Sequence, residues 1–525
     1  MSSLSRQELY DKIKESSKDE YTLSEMQRLG FWSTDKPFLA TELIKRKSEL
    51  HKAIRSLSQE IKDPEAMLKA IHQQRMKDAR KRRIETKVKK ELKRYQRATD
   101  WHQKQQKQIS YLGDLCHLKD PQDADSQITK LELLKQKKLP ICENAPQLAQ
   151  LMGVTLNELR FLCFTDRVSK RSHYQRFAIP KKTGGTRLIS APMPRLKRLQ
   201  YWILDNILTP LPLTEQAHGF VTGKSILTNA APHIGQSLVI NLDLKDFFPT
   251  ITYPRIKGLF LHQGYNNEIA TLLALLCSEP ETQVVEMDGQ RYFIHDKQRF
   301  LPQGAPTSPM LSNLLCRNLD KRLQGLATKY DFAYSRYADD LTFSSTQYQP
   351  IKPLLNWVKK ITKEEGFTLH PDKTRIMHRG NRQEVTGIVV NQQLSLNRKT
   401  LNQFRALLFQ IKKDGYQNKT WGKGGDLLST ITGFAHYVRM VKPEKGAQFL
   451  NQIAEIKKLY GHSSQQNNFA YTSSAFRQAS AKGELPLPSM KVAQPPPAPD
   501  LEKMIQHREV LDWIKKEKPN LGDNA

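Results

Sequence analysis

The stretch Phe332-Ala333-Tyr334-Ser335-Arg336-Tyr337-Ala338-Asp339-Asp340-Leu341-Thr342-Phe343-Ser344 decides how this chain is read. Phe332 to Tyr337 and Leu341 to Ser344 read as two strands, which places Asp339 and Asp340 on the tight turn of a hairpin. A turn presents its side chains together, and paired carboxylates there attract a hard divalent cation such as Mg²⁺. Taken alone, Asp-Asp at a hairpin is ordinary turn chemistry. A second stretch shifts the balance. In Asn241-Leu242-Asp243-Leu244-Lys245-Asp246-Phe247-Phe248, a buried strand over Leu238 to Leu244 is expected to end at Asp243, offering the third acid that two metals require.

The 525 residues suffice for three or four compact units. Lysine and arginine total 83 against 53 aspartates and glutamates, a net charge of +30. An excess of that size points to a polyanionic partner. A membrane surface is the rival, but no apolar run approaches the roughly 20 residues needed to span a bilayer. The N-terminal residues are polar and lack an apolar signal core. Cys116, Cys142, Cys163, Cys277 and Cys316 form no C-x-x-C pair and read as small hydrophobes in a reducing cytoplasm.

Residues 1 to about 140 read as mostly helical. Ser2 to Trp32 and Thr34 to Leu57 carry apolar residues at helical spacing, and a third helix is expected to begin near Asp63-Pro64. From Arg75 to Arg97 there are twelve basic and three acidic residues. A charge run is often a solvated helix face, yet like charges four apart repel on a helix. Nucleic-acid phosphate is therefore the expected counter-charge for Arg80, Lys81, Arg82, Arg83, Lys89 and Lys90, with a coiled-coil or protein-binding arm as the alternative. Ala145 to Phe164 read as two short helices. A hairpin follows over Tyr174 to Pro180 and Arg187 to Ser190, turning at Gly184-Gly185. Pro194 to Leu208 and Thr307 to Leu326 read as helices. Gly461 to Lys482 is polar, Glu484 to Asp500 is a proline-rich linker, and Leu501 to Lys518 fits one amphipathic helix that docks on this chain or a partner.

Tyr337-Ala338-Asp339-Asp340, preceded by an aspartate-tipped strand and by Leu301-Pro302-Gln303-Gly304-Ala305-Pro306-Thr307-Ser308-Pro309, resembles the palm of reverse transcriptases from about Ala145 to about Ala454. Asn229-Ala230-x-x-His233 before the palm and Val385-Thr386-Gly387 after it narrow the resemblance to bacterial retron enzymes. The resemblance implies an α+β right-hand polymerase. Its expected parts are a helical extension over 1–140, fingers over 141–237, a palm over 238–393 with part of the fingers inserted, a thumb over 394–462, and a linker with a terminal helix over 463–525.

The resemblance also implies roles. Asp243, Asp339 and Asp340, with the backbone of Leu244, would hold two Mg²⁺ ions, with Mn²⁺ as a substitute. Lys373 would stabilise or protonate the leaving pyrophosphate. Arg187, Lys181, Lys182, Gln303 and Gly304 would bind the nucleotide. Phe248, five residues after Asp243, would exclude a 2′-hydroxyl. Asn229, His233, Val385, Thr386 and Gly387 would serve RNA binding. The implied partners are a structured RNA template and primer, the DNA product, deoxynucleoside triphosphates and a separate effector protein in antiphage defence. The implied location is the bacterial cytoplasm, away from membranes. A group II intron-like or other defence-associated reverse transcriptase is one alternative. A non-catalytic RNA-binding scaffold is another.

Overall fold

The computed structural model describes residues 5–34, 39–60, 64–109, 111–113, 129–180, 185–347, 350–422, 426–460, 472–484 and 495–500. The hairpin tip with Lys181 and Lys182, Cys116 and the expected C-terminal helix lie outside the described residues. The protein is α+β and divides into two units. The first is Met1–Asp100 and takes in the described residues 495–500; the second is Trp101–Gln494.

The described elements of the first unit are helices. Two of them, Arg6–Glu15 and Lys18–Arg28, stand where one is expected over Ser2–Trp32. The break falls at Ser16-Ser17 because Ser17 is extended and its hydroxyl accepts from the Glu20 N–H, capping the second helix. Leu39–Glu60 follows, and its Lys47 pairs with Asp19 at 3.1 Å. The fourth helix, Pro64–Lys107, opens on its proline and runs 44 residues, about 66 Å at helical rise. Among the described residues of this unit, only Leu23 and Val88 are buried hydrophobics.

The strands of the second unit are, in chain order, β1 (Val168–Ser169), β2 (Tyr174–Pro180), β3 (Thr186–Pro192), β4 (Leu238–Asp243), β5 (Glu279–Met287), β6 (Gln290–Phe300), β7 (Ala333–Tyr337), β8 (Asp340–Ser345), β9 (Arg375–His378), β10 (Glu384–Val385) and β11 (Ile388–Val389). The central sheet has the order β7-β8-β4-β9 with every neighbour antiparallel. Its inner strand β4 buries Leu238, Val239, Ile240 and Leu242, as the apolar run predicts. The β2–β3 hairpin, the β10–β11 ribbon and a sheet ordered β1-β6-β5 complete the strand set.

A large core packs helices Pro194–Ile203, Tyr253–Gln263, Asn267–Cys277, Arg317–Lys329 and Ile351–Glu364 on the central sheet, and it includes Ile109, Leu112, Leu134 and Leu139. A second core joins helices Arg398–Asp414, Leu427–Val441 and Pro443–Tyr460 to Val385, Ile388 and Val390. Phe404 anchors it, with Trp421, Phe434 and Phe449 rings at 5.1, 4.6 and 5.1 Å.

Two segments differ from the sequence expectation. The helix expected over Thr307–Leu326 is two, Ser308–Leu315 and Arg317–Lys329, parted at Cys316. The polar stretch before the proline-rich linker holds a helix, Ser473–Ala481, capped by Thr472. It lies on Pro194–Ile203 and the turn that follows, with Arg477 donating to Asp205 at 3.0 and 2.5 Å and Phe476 edge-on to Tyr201.

Candidate active site

Strand pairing fixes the carboxylates. β7 and β8 pair up to Tyr337 and Asp340, leaving Ala338-Asp339 as a two-residue turn. β4 runs beside β8 with Asp243 opposite Asp340, and directly opposed residues share a sheet face. The Leu244 N–H donates to the Asp339 carbonyl at 3.0 Å, tying the turn to the end of β4. The three carboxylates therefore share one corner of the sheet.

They repel one another there. Burial, then the Asp243 charge, raises the Asp339 carboxyl above the usual range. Asp340 reaches solvent on its outer side, but the protein packed beneath it, then Asp339 and Asp243, push its carboxyl up to about 7. Cations oppose this: Arg187 and Lys373 act on Asp339, and Lys373 and Arg375 act on Asp340. Lys373 donates to both oxygens of Asp243, each at 2.9 Å. Its loop is stitched to β4, since the His370 N–H donates to the Asp243 carbonyl at 2.7 Å and the Lys245 N–H to the Thr368 carbonyl at 2.8 Å.

The turn is strained. Ala338 has φ 58°, a left-handed conformation that side chains disfavour. A buried network holds it. Arg336 donates to the Ala338 carbonyl at 3.2 Å and to Asn313 Oδ1 at 3.0 Å. It also donates twice to Asp320, both at 2.7 Å, and neither side chain is exposed. The Tyr334 and Thr214 hydroxyls complete the Asp320 shell at 3.0 and 2.6 Å. Gly219 packs beneath the turn, where a Cβ would come within 2.7 Å of the Ala338 nitrogen. The sequence reading did not single out Arg336, Asp320, Asn313 or Gly219. An arginine inside a strand otherwise destined for burial was the available signal, since a buried cation needs a partner.

Gln303 and Gly304 lie against β3. The Ser190 N–H donates to the Gln303 carbonyl at 2.7 Å. Gly304 has φ 123°, and a Cβ there would meet the Ser190 carbonyl at 2.9 Å. The same hairpin carries the exposed Arg187. Phe248 is half-buried beside the buried Phe247, ring centres 5.4 Å apart.

The residues expected to serve RNA binding split. Asn229, His233 and Val385 are fully buried, so direct RNA contact by these three side chains is corrected to an interior role. His233 Nε2 lies 2.8 Å from the Ser335 hydroxyl and Nδ1 2.6 Å from that of Ser344. Ser335 in turn donates to the Asn229 carbonyl at 3.3 Å, so it accepts from Nε2–H and leaves Nδ1 to accept from Ser344. Burial pushes the imidazole down to about 3. Asn229 Nδ2 reaches Thr386 Oγ1 at 3.5 Å. Thr386 and Gly387 form the β10–β11 turn at φ 47° and 86° and reach the surface. In the first unit, Arg80, Arg82, Arg83, Lys89 and Lys90 are exposed and Lys81 is half-buried.

The family model of the reverse transcriptase (RNA-dependent DNA polymerase) matches residues 179–413. With the antiparallel sheet and its carboxylate corner, this makes the chain a reverse transcriptase, an RNA-directed DNA polymerase. The retron Mx162 reverse transcriptase of Myxococcus xanthus is 39% identical over 66% of this chain and 75% of its own. The retron Mx65 enzyme of the same organism is 40% identical over 58% and 70%. The retron Ec86 enzyme of Escherichia coli is 30% identical over 62% and 94%. The chain belongs to the retron reverse transcriptases. Among solved structures, a foamy viral protease-reverse transcriptase with double-stranded DNA covers 60% of this chain and 45% of its own at 16% identity and a TM-score of 0.32, too low to add weight.

Among the described residues no three acidic, histidine or cysteine side chains converge closely enough to hold a metal as they stand; Lys373 engages Asp243 instead. The donor chemistry still fits. The raised proton affinity of Asp339 and Asp340 is of the kind that a divalent cation on hard carboxylate oxygens relieves. No described helix is long and apolar enough to cross a membrane.

Proposed function

We propose that this enzyme copies a cognate structured RNA into single-stranded DNA that stays joined to its RNA through a 2′,5′ branch. The setting is a bacterial cytoplasm and antiphage defence, with a separate effector protein as partner. Similarity to three retron enzymes supports the branch and the cognate RNA. The observation that carries the catalytic reading is the corner where the Asp243 charge raises the proton affinity of Asp339 and Asp340, with Arg187 and Lys373 acting against it.

In this reading Asp243, Asp339 and Asp340, with the Leu244 carbonyl, hold two Mg²⁺ ions, and Mn²⁺ substitutes for them. Bound there, the ions supply acidification of the primer hydroxyl and neutralisation of the triphosphate. Lys373 leaves Asp243 and turns to the pyrophosphate. Arg187, with Lys181 and Lys182, draws the hairpin over the phosphates. Gln303 and Gly304 seat the nucleotide, and Phe248 blocks a 2′-hydroxyl. Asn229, His233 and Val385 set the Thr386-Gly387 turn, which meets the RNA.

The test is to express the chain with its flanking genomic DNA, purify it, and sequence the bound nucleic acid after ribonuclease and debranching treatments. One RNA covalently joined to one DNA, released by debranching, is the expected result. Bound RNA with no attached DNA, from an enzyme active on a generic primer–template, overturns the branched product and leaves the polymerase standing.

A further inference from the structure

One cavity of the second unit lies away from the carboxylate corner. It has about 340 Å³ of free volume, and Asp243, Asp339 and Asp340 do not line it. It sits where helix Leu156–Cys163 meets the start of β2 and the β5–β6 pair. Volumes near 300 Å³ are the lower end of small-molecule sites, room for one nucleotide and not for a duplex.

Its lining is cationic and aromatic. Lys170, Arg171, Arg176 and Arg299 face one lining carboxylate, Asp166. Arg299 is the unusual member. It is buried, and its guanidinium donates to Ser278 Oγ at 3.1 Å, Thr165 Oγ1 at 2.8 Å, and the Leu275 and Ser278 carbonyls at 3.1 and 2.7 Å. Every one of these acceptors is neutral. The nearby Glu279 carboxylate is bonded to Arg176 at 3.1 Å. Glu279 also feels the Arg299 charge, so one buried carboxylate is shared between two guanidiniums, and the four cations around the cavity outnumber the carboxylates Asp166 and Glu279. His295 records that excess: burial, then Arg176 and Arg299, push it down to about 4. Phe161, Phe164 and Tyr174 supply flat apolar walls, while Lys170 and Arg171 stand exposed at the rim.

We propose that this cavity takes a single nucleotide of the bound RNA, extruded from its strand, with the base against Phe161, Phe164 and Tyr174 and its phosphate at Lys170 and Arg171. Aromatic walls beside cations are how unpaired nucleotides are held. A free triphosphate shares this chemistry but carries a divalent ion, and a lone carboxylate is a poor seat for one. The inference rests on the polymerase reading for its RNA. It adds an anchoring point that the catalytic corner does not need.

The probe is a random-sequence RNA of mixed bases carrying thiouridine, irradiated on the full-length protein. Crosslinks are expected at Phe161, Phe164 or Tyr174. In K170A/R171A, which removes two exposed side chains, those crosslinks should fall roughly fivefold, and the plot of log affinity against log salt should flatten by about 0.7, the value for one lost phosphate contact on a single strand. Extension of a pre-annealed primer–template at saturation should stay at the wild-type rate in this variant. Loss of extension in the wild type itself would sink the polymerase reading, a separate failure. Absence of crosslinks at all three aromatics, or crosslinks and slope unchanged in K170A/R171A, overturns the proposal. Displacement of the crosslinks by millimolar uridine monophosphate or ATP also overturns it, assigning the cavity to a free nucleotide.

Discussion

The central sheet and the N-terminal helices use charged residues in opposite ways. Strand residue Arg336 and its helix partner Asp320 are fully buried and locked by paired donors at 2.7 Å, and Lys373 is held on Asp243 at the end of β4. Along Pro64–Lys107, Arg80, Arg82, Arg83 and Lys90 stand in solvent. The first arrangement places a few atoms accurately and tolerates little change. The second offers charge without fixed geometry, which suits a polyanion read by its backbone. Each side can be broken alone.

The largest effect belongs to the carboxylates. If these carboxylates hold the metals as proposed, Asp339→Asn or Asp243→Asn should lower primer extension by roughly a thousandfold or more. RNA affinity should survive in both. Extension at the wild-type rate by either purified variant would remove the corner from the mechanism.

Next is the network under the turn. Arg336→Met leaves the Asp320 carboxylate buried with hydroxyl partners only, and removing one member of a buried pair costs roughly 3–5 kcal/mol. Chemical denaturation of the second unit should show that loss, and R336M/D320L should recover much of it. A single-variant loss under about 1 kcal/mol would mean that the pair is not what holds the turn.

On the other side of the comparison, six substitutions to Gln at Arg80, Lys81, Arg82, Arg83, Lys89 and Lys90 should flatten the salt dependence of RNA binding by about 4 to 5 units of slope. Extension of a generic primer–template should change little. Identical slopes for wild type and variant would assign the helix to a protein partner or to solvent.

These two regions also differ in how legible they are. The β7–β8 hairpin, the strand ending at Asp243 and the helix opening at Pro64 are written in local pattern, and each appears within a residue or two of its expected place. The contacts that fix the corner are not local. Arg336 finds Asp320 sixteen residues away, and Lys373 finds Asp243 after 130 residues. Arg477 finds Asp205 after 272 residues, which is why a polar tail proves to hold a packed helix. Periodicity reports which face is buried and is silent on which polar groups meet there. The motif resemblance pointed to Asn229 and His233, but only packing reveals that their side chains are buried.

The smallest effect tests that burial through pH. His233 is buried with both ring nitrogens bonded, and its proton affinity is pushed down to about 3, against about 6.5 in an unfolded chain. A folded value below the unfolded one means that the unfolded state binds the extra proton as pH falls. The stability from neutral His233 is therefore complete above about pH 6.5 and is lost progressively toward pH 3, with about 2 kcal/mol gone at pH 5. His218 and His295, each pushed to about 4 by burial and neighbouring cations, add to the same slope. The useful quantity is thus the difference between wild type and His233→Gln, which keeps a donor and an acceptor but does not titrate. Unfolding free energies at pH 7 and pH 5 should fall further for wild type, by about 2 kcal/mol. Parallel losses would mean that the imidazole is hydrated in solution and that Asn229 and His233 sit closer to the RNA surface than to the core.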